Sequence, residues 1–195
     1  GTFLLWFGWF GFNGFSQLAM GTFDDVNAIN KIAVNTHLAG SAGVITGAVL
    51  TRLLGGKTDI IMMLNGALAG LVAITAEPLT PTPLLAILIG SIGAVIMYFG
   101  TKFLEKQKID DVVGAIPVHM FAGIFGTLVV PMSNPETNFG TQFQGVISVC
   151  LFSFVLSYIL FKVMKKTIGI RISKEAEKLG TDKAEIGVLA YSIRD

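Results

Sequence analysis

Two histidines lie within apolar stretches of the sequence and are the first candidates for chemistry. His119 occurs in AIPVHMFAGIFG and His37 in NTHLAGSAG. A neutral imidazole offers one hydrogen-bond donor and one acceptor, and an ionisable group inside a membrane segment is costly enough to suggest a function. Either histidine could instead be a packing residue. No second His, Cys or carboxylate stands one helical turn from His119, so we expect neither a metal site nor a cofactor.

A run of aromatic residues and glycines, LLWFGWFGFNGFS at 4–16, ends in a lone hydroxyl. Aromatic faces attract cations, and the hydroxyl of Ser16 can accept a hydrogen bond from an N–H donor, so the run suits a small hydrogen-bonding cation. An aromatic belt at the membrane interface would have the same composition. Phe12 and Ser16 are four residues apart and therefore share one helix face.

Two pairs of acids stand at expected helix starts. Asp110 and Asp111 precede the segment that carries His119, where carboxylates cap free N–H groups and suit the helix dipole. We expect both to be helix caps. Asp24 and Asp25 also precede a helix, and for them capping and attraction of cations to an outer mouth both remain open.

The composition is that of a membrane protein. Of the 195 residues, 52% are hydrophobic and only 14% are charged, against about a quarter charged in ordinary soluble domains. The net charge of +1 and the absence of basic recognition segments argue against nucleic-acid binding. The sequence also has no phosphate-cradling loop, GxSxG nucleophile or HExxH helix, so we do not expect an enzyme.

The elements that must position these residues are helices long enough to cross a bilayer, which takes about 20 apolar residues. Strict alternation of apolar and polar residues, typical of membrane strands, is missing. We therefore predict an all-α, polytopic membrane protein with six transmembrane helices, at roughly 2–20, 29–54, 59–76, 83–104, 113–131 and 143–165. The connections between them, including GTFDDVNAIN, are rich in turn residues.

Basic residues predict the orientation of the chain. Every Lys and Arg except Lys31 falls in the second connection, the fourth connection or the segment after the last helix, which we place in the cytoplasm. Residues 1–166 would form the membrane region and 167–195 a cytoplasmic tail, in a multi-pass protein of the cell membrane. The basic start of the tail suits either an anchoring flank or a docking site for a partner. Small residues at Gly43 and Gly47, Gly66 and Gly70, and 122–126 predict tight helix packing.

These motifs resemble the ammonium transporters of the Amt/Mep/Rh group. LLWFGWFGFNGFS looks like the sixth membrane helix of that family and is followed by its NTxLA segment at Asn35–Ala39. NGALAGLVAIT at 65–75 resembles the eighth helix, and the spacing of Asp110, Asp111 and His119 resembles the start of the tenth. The tail keeps the family's spacing of Gly180, Asp182, Gly187, Ala190 and Tyr191.

The resemblance implies a fold and roles for particular residues. Family members are homotrimers of eleven-helix protomers built as an inverted repeat, and this chain would supply helices six to eleven and the tail. Phe12 resembles a gating phenylalanine, Ser16 the hydroxyl of the ammonium recruitment site, and His119 one of two pore histidines. Leu5 and Leu68 fall where the family lines its apolar pore. The partner residues belong to helices one to five, so we expect this chain to be part of a longer protein.

The sequence departs from the family pattern in three places. Pro117 and Met120 flank His119 in place of small residues, Phe15 replaces a small residue before Ser16, and Ile186 replaces a histidine in the tail. The first two changes affect packing beside proposed pore residues. The third weakens the expectation of a PII-type cytoplasmic regulator.

Three functions follow as hypotheses. A transporter would pass ammonium or ammonia through a gated apolar pore. An ammonium sensor would use the same site to drive a signalling domain fused beyond the tail. A helical scaffold would use its histidines only for packing, although it would leave the ordered motifs unexplained.

Overall fold

The computed structural model describes residues 1–190, which form helices joined by short connections and contain no strand. Tyr191 and Arg194, both expected in the tail, lie outside this range. The α-helices are α1 (Thr2–Phe15), α2 (Phe23–Gly55), α3 (Ile60–Thr75), α4 (Pro83–Lys106), α5 (Ala122–Val129), α6 (Phe139–Thr167) and α7 (Lys174–Leu179). A π-helical turn at Ile116–Phe121, called the widened turn below, precedes α5, and a 3-10 turn at Val130–Met132 follows α5. A second π-helical turn covers Asp182–Ile186. The all-α prediction is confirmed.

Each of the six predicted apolar stretches is helical, but their lengths differ from expectation. The three helices α2, α4 and α6 are long and apolar enough to cross a membrane, whereas Ile60–Thr75 and Ile116–Met132 are shorter apolar helices. Helix α1 has 14 residues and ends at Phe15, not near residue 20, because the chain turns there and Leu18 adopts a left-handed φ of 60°. The helical segment before α5 begins at Ile116, not at 113, because Gly114 adopts a positive φ of 74°.

Helix α2 begins at Phe23, so the interpretation of GTFDDVNAIN as a connection is wrong for most of that stretch. A capping box starts the helix: the Thr22 hydroxyl accepts the Asp25 N–H at 3.1 Å, and the Asp25 carboxylate accepts the Thr22 N–H at 3.0 Å. Asp24 and Asp25 therefore lie in the first turn of α2 and do not precede it. Acidic residues there also suit the positive end of the helix dipole.

Helices α2, α3 and α4 pack closely because glycines at their contacts leave room for the backbone of the neighbouring helix. A Cβ added to Gly66 of α3 would stand 2.5 Å from the Gly43 carbonyl oxygen of α2. A Cβ on Gly70 or on Gly90 would overlap the backbone of Ala39. The predicted small-residue packing is thus confirmed, and α3 lies against α1, α2, α4, α5 and the widened turn before α5.

Side-chain hydrogen bonds tie two connections that the charge pattern predicts on the same, outer side. The Glu77 carboxylate, after α3, accepts the Asn134 amide N–H at 2.8 Å. The Thr80 hydroxyl donates to Ser133 at 2.9 Å, next to Asn134. These bonds hold the end of α3 against the segment that follows α5.

The chain divides into two compact units, Gly1–Ile147 and Ser148–Asp195. In the second unit, the described part of the tail is ordered by hydrogen bonds between residues close in sequence. The Ser173 hydroxyl caps α7 by accepting the Ala176 N–H at 3.1 Å. Farther on, the Asp182 carboxylate accepts N–H bonds from Ala190 at 3.0 Å and from Lys183 at 2.9 Å. These two donors lower the pKa of the Asp182 carboxyl from its usual value.

A prediction about helix packing follows from Gly66. Changing Gly66→Ala forces a methyl group against the Gly43 carbonyl, so we expect overpacking to cost about 1–3 kcal/mol. The measurement is the thermal unfolding midpoint of the full-length protein in detergent, which should fall by several degrees. Gly145→Ala is the control, because a Cβ there meets nothing within 4 Å. An equal fall for both variants would contradict the packing account.

A second prediction concerns acid and the tail. Because the Asp182 pKa is lowered in the folded tail, its bonds are present above the ordinary carboxyl pKa of about 4 and are lost as the pH falls through the lowered value. At neutral pH, Asp182→Ala should speed hydrogen exchange at the Ala190 amide by about tenfold. The matched Glu185→Ala change should leave that rate unaltered. Unchanged exchange in Asp182→Ala would show that the carboxylate does not order this loop.

Candidate functional site

Helix α1 is held by two polar bonds on its inner face. The Trp9 indole Nε1–H donates to the Thr75 hydroxyl of α3 at 2.7 Å. One turn later, the Asn13 amide donates to the Thr36 hydroxyl of α2 at 3.0 Å, and both of those side chains are fully buried. Two anchors four residues apart determine which face of α1 points outward.

Phe12 and Ser16 share one face, as their spacing predicts, and that face points outward. Phe12 is 65% exposed, and Ser16 is exposed one turn beyond it. The two residues line one shallow groove of about 500 Å³ together with Gly8, Gly11, Phe15 and Leu18. The structure therefore brings these two predicted site residues together.

The Ser16 hydroxyl is oriented by its own helix. Its proton is donated to the Phe12 carbonyl at 2.8 Å, so the oxygen lone pairs remain available to accept. A bound N–H donor could be received there while the Phe12 ring lies in the same groove. Phe15, the departure next to Ser16, is 79% exposed and turns back along the helix, within about 3.5 Å of where a Cβ on Gly11 would stand. It forms part of the groove wall.

His119 is exposed within the widened turn Ile116–Phe121. The Ala122 N–H bonds to the Pro117 carbonyl, five residues back, which is the wide hydrogen-bond spacing of such a turn. Pro117 and Val118 are buried beside His119. Widened turns inside helices occur often at functional sites because they change the direction in which side chains project.

The start of this turn is fixed by a carboxylate and an amide. Asp111 accepts the N–H groups of Ala115 and Ile116, both at 2.8 Å, in the position of a helix cap. The Asn65 amide of α3 donates to the Val113 carbonyl at 3.0 Å. Asp110, the other acid predicted to cap, is exposed. The two capping N–H bonds described at this helix start are both accepted by Asp111.

The two leucines predicted in the pore wall have different surroundings. Leu5 is 51% exposed on α1, whereas Leu68 is only 9% exposed. Leu68 packs in a core cluster with Leu71, Met97 and Val118, and Trp9 packs against that cluster. Leu68 therefore lies behind the exposed surface, in the same cluster as Val118, the residue that precedes His119.

Helix α3 is shared by the elements that carry the site residues. Helix α1 and the widened turn of His119 both pack on α3, and within residues 1–190 no Cα atom of one lies within 8 Å of a Cα atom of the other. Phe12 and Ser16 thus form one cluster and His119 a separate exposed position. No group of three metal-ligating side chains occurs in the described range.

Sequence reasoning missed the residues that orient the site. Trp9 and Thr75 are 66 positions apart, and Asn13 and Thr36 are 23 apart, so no local pattern pairs them. The only local signal was the spacing of Trp9 and Asn13, one turn apart and offset from Phe12 and Ser16. His37 is exposed and stacks against aromatic rings, with its centroid 5.5 Å from that of Trp6 and 6.2 Å from that of Phe10.

Comparison with known proteins places these features in a family. A sequence profile described as Ammonium Transporter Family matches residues 1–191. The ammonium transporter Amt2 of Archaeoglobus fulgidus is 41% identical over 98% of this chain and 44% of its own length. A putative ammonium transporter of Synechocystis is 37% identical over 96% of this chain and 43% of its own length.

Solved structures of similar fold agree. A protein described as a sensor Amt protein is 34% identical, with a TM-score of 0.85 over 94% of this chain and 47% of that chain. Mep2 of Candida albicans is 27% identical, with a TM-score of 0.82 over 95% of this chain and 45% of that chain. The chain spans less than half the length of the curated relatives described above. With the profile match over nearly its whole length, the chain belongs to the ammonium transporter family, a family of multi-pass membrane transporters.

Proposed function

We propose that this chain forms one wall of a conduit for ammonium or ammonia, with Ser16 at the recruitment site and Phe12 as the gate. The observation that carries the proposal is the shared groove of the two residues, in which the Ser16 oxygen is free to accept. Ammonium has N–H groups to donate, and its positive charge favours the aromatic faces beside it. The groove offers both kinds of contact to the same small cation.

Beyond the gate, the proposed cargo is neutral ammonia. A charged group at the bilayer centre costs about 3 kcal/mol on insertion scales and much more in simulations, so loss of the proton lowers the barrier. Leu5 supplies apolar wall on α1, and Leu68 supports the wall from behind. His119, exposed in its widened turn, would take or relay the proton through its imidazole nitrogens.

The proposed arrangement in the membrane follows from charge and apolar surface. Residues 1–166 would span the membrane and 167–195 would lie in the cytoplasm, because the basic residues concentrate on that side. The full-length protein would assemble as a homotrimer, as the family resemblance implies. Exposed apolar side chains along α1, α2 and α4 are suited to contacts with lipid or with further protein.

An ammonium sensor is the second candidate. It is favoured by one observation, the similarity of this chain to the sensor Amt protein at 34% identity and a TM-score of 0.85. In this reading the Ser16 and Phe12 site binds ammonium and the tail transmits the signal to a fused domain or cytoplasmic regulator. Binding would then persist without appreciable flux.

The proposal predicts different effects for two changes in the groove. Ser16→Ala removes the acceptor, so the KM for methylammonium uptake should rise by about tenfold, because hydrogen bonds to charged groups are strong. Phe12→Ala should change the maximal uptake rate by about tenfold, because the gate ring is lost. Both are measured with the full-length protein in proteoliposomes.

The matched control is Phe7→Ala, since Phe7 is a 79% exposed phenylalanine on the same helix that does not line the groove. It should transport as the wild type does. Wild-type kinetics in both Ser16→Ala and Phe12→Ala would overturn the assigned roles. A wild-type protein that binds ammonium but shows neither uptake nor current would contradict transport and favour the sensor.

A further inference from the structure

We propose that Thr75 is a positioning residue for the Phe12 gate and that it acts through the Trp9 indole. The inference rests on the proposed function of Phe12 and extends it to a residue on another helix. Thr75 is the last residue of α3, and Phe12 is on α1. The connection between them consists of one hydrogen bond and one ring contact.

The hydroxyl of Thr75 has a single available orientation. Its proton is donated to the Leu71 carbonyl at 2.6 Å, one turn back in α3. The oxygen is therefore the acceptor for the Trp9 Nε1–H at 2.7 Å. The Trp9 indole donates to the Thr75 hydroxyl, which donates in turn to the Leu71 carbonyl, so the three groups form a continuous chain of hydrogen bonds.

The end of α3 that carries Thr75 is itself restrained. Glu77, two residues later, accepts the Asn134 amide at 2.8 Å and also accepts the N–H groups of Leu79 and Thr80. The Thr75 hydroxyl oxygen therefore lies at a helix end that is itself held in place by the hydrogen bonds of Glu77. An indole bonded to it has little freedom to rotate.

Trp9 transmits this restraint to the gate. Its ring centroid lies 6.1 Å from that of Phe12 with the planes inclined by 57°, a tilted contact within the centroid distances of favourable aromatic pairs. Trp9 also packs against the core cluster that contains Leu71. Phe12 is 65% exposed, so the fixed Trp9 ring is an important support on its inner side.

Trp6 shows that this pairing is specific to Trp9. It lies on the same helix, three residues earlier, and also packs against the core cluster. Within the described residues, however, its Nε1 is buried without a hydrogen-bond partner. The position of Thr75 selects one indole of the two, and that indole is the one in contact with Phe12.

The experiment compares three threonine variants of the full-length protein in proteoliposomes, with methylammonium as the transported probe. Thr75→Val keeps the shape and removes the acceptor, so the maximal uptake rate should change by about fivefold with little change in KM. Thr75→Ser keeps the acceptor and should restore wild-type kinetics. Thr127→Val is the matched control. Within the described residues, the Thr127 hydroxyl bonds only to the Gly123 carbonyl of its own helix, at 2.9 Å.

A spectroscopic measurement separates positioning from general damage. The ultraviolet resonance Raman band that reports indole hydrogen bonding, assigned to Trp9 by difference from Trp9→Phe, should shift in Thr75→Val and remain in place in Thr75→Ser and Thr127→Val. Wild-type uptake in Thr75→Val, equal effects of Thr75→Val and Thr127→Val, or failure of Thr75→Ser to restore uptake would each overturn the inference.

Phe12→Ala is measured in parallel so that the two proposals can be told apart. If Phe12→Ala alters uptake and Thr75→Val does not, the gate stands and the positioning role of Thr75 is wrong. If Phe12→Ala transports as the wild type does, the gate itself is wrong and the inference is overturned with it.

Discussion

Close backbone contact between helices is the constraint on which the rest of this structure depends. In a bilayer, lipid tails are as apolar as side chains, so helices associate mainly through packing and interhelical hydrogen bonds. Gly43 and Gly66 let α2 and α3 approach until carbonyl oxygens occupy the space of a side chain. Helix α3 thereby becomes the common support for α1, α4 and the widened turn of His119.

That support explains how polar groups are distributed around the site. The polar bonds of Trp9 and Asn13 on the inner face of α1 run to α3 and α2, which lowers the cost of burying these groups. With those groups satisfied on the inner face of α1, its outer face is left for Phe12 and Ser16. The same helix is thus both a packed structural element and the wall of a candidate conduit.

Much of the fold was predictable from the sequence, because hydropathy and charge act locally. The six helical stretches, the shared face of Phe12 and Ser16 and the small-residue contacts all follow from composition and period. The start of α2 was misplaced because the Thr22 and Asp25 capping box looks like turn composition. The residues around His119 show no hydrophobic periodicity that would distinguish a widened turn from an ordinary helix.

The contacts that orient the site could not be predicted in the same way. Trp9 on α1 and Thr75 on α3 come together only when these two helices pack, and Leu68 is buried among residues that include Met97 and Val118, far away in the chain. Resemblance to the family assigned roles to single positions, but the mutual geometry of those positions depends on α3.

The central claim is that the outer face of α1 and the exposed imidazole of His119 line one conduit. The most direct measurement is the ammonium-evoked current of the full-length protein in a planar bilayer, compared between His119→Ala and His37→Ala. Both histidines are exposed on helical segments, but the His37 ring lies against the Trp6 and Phe10 rings of α1 and does not line the groove of Phe12 and Ser16. We expect His119→Ala to alter the current and His37→Ala to leave it unchanged. A wild-type current in His119→Ala, or equal losses in both variants, would contradict it.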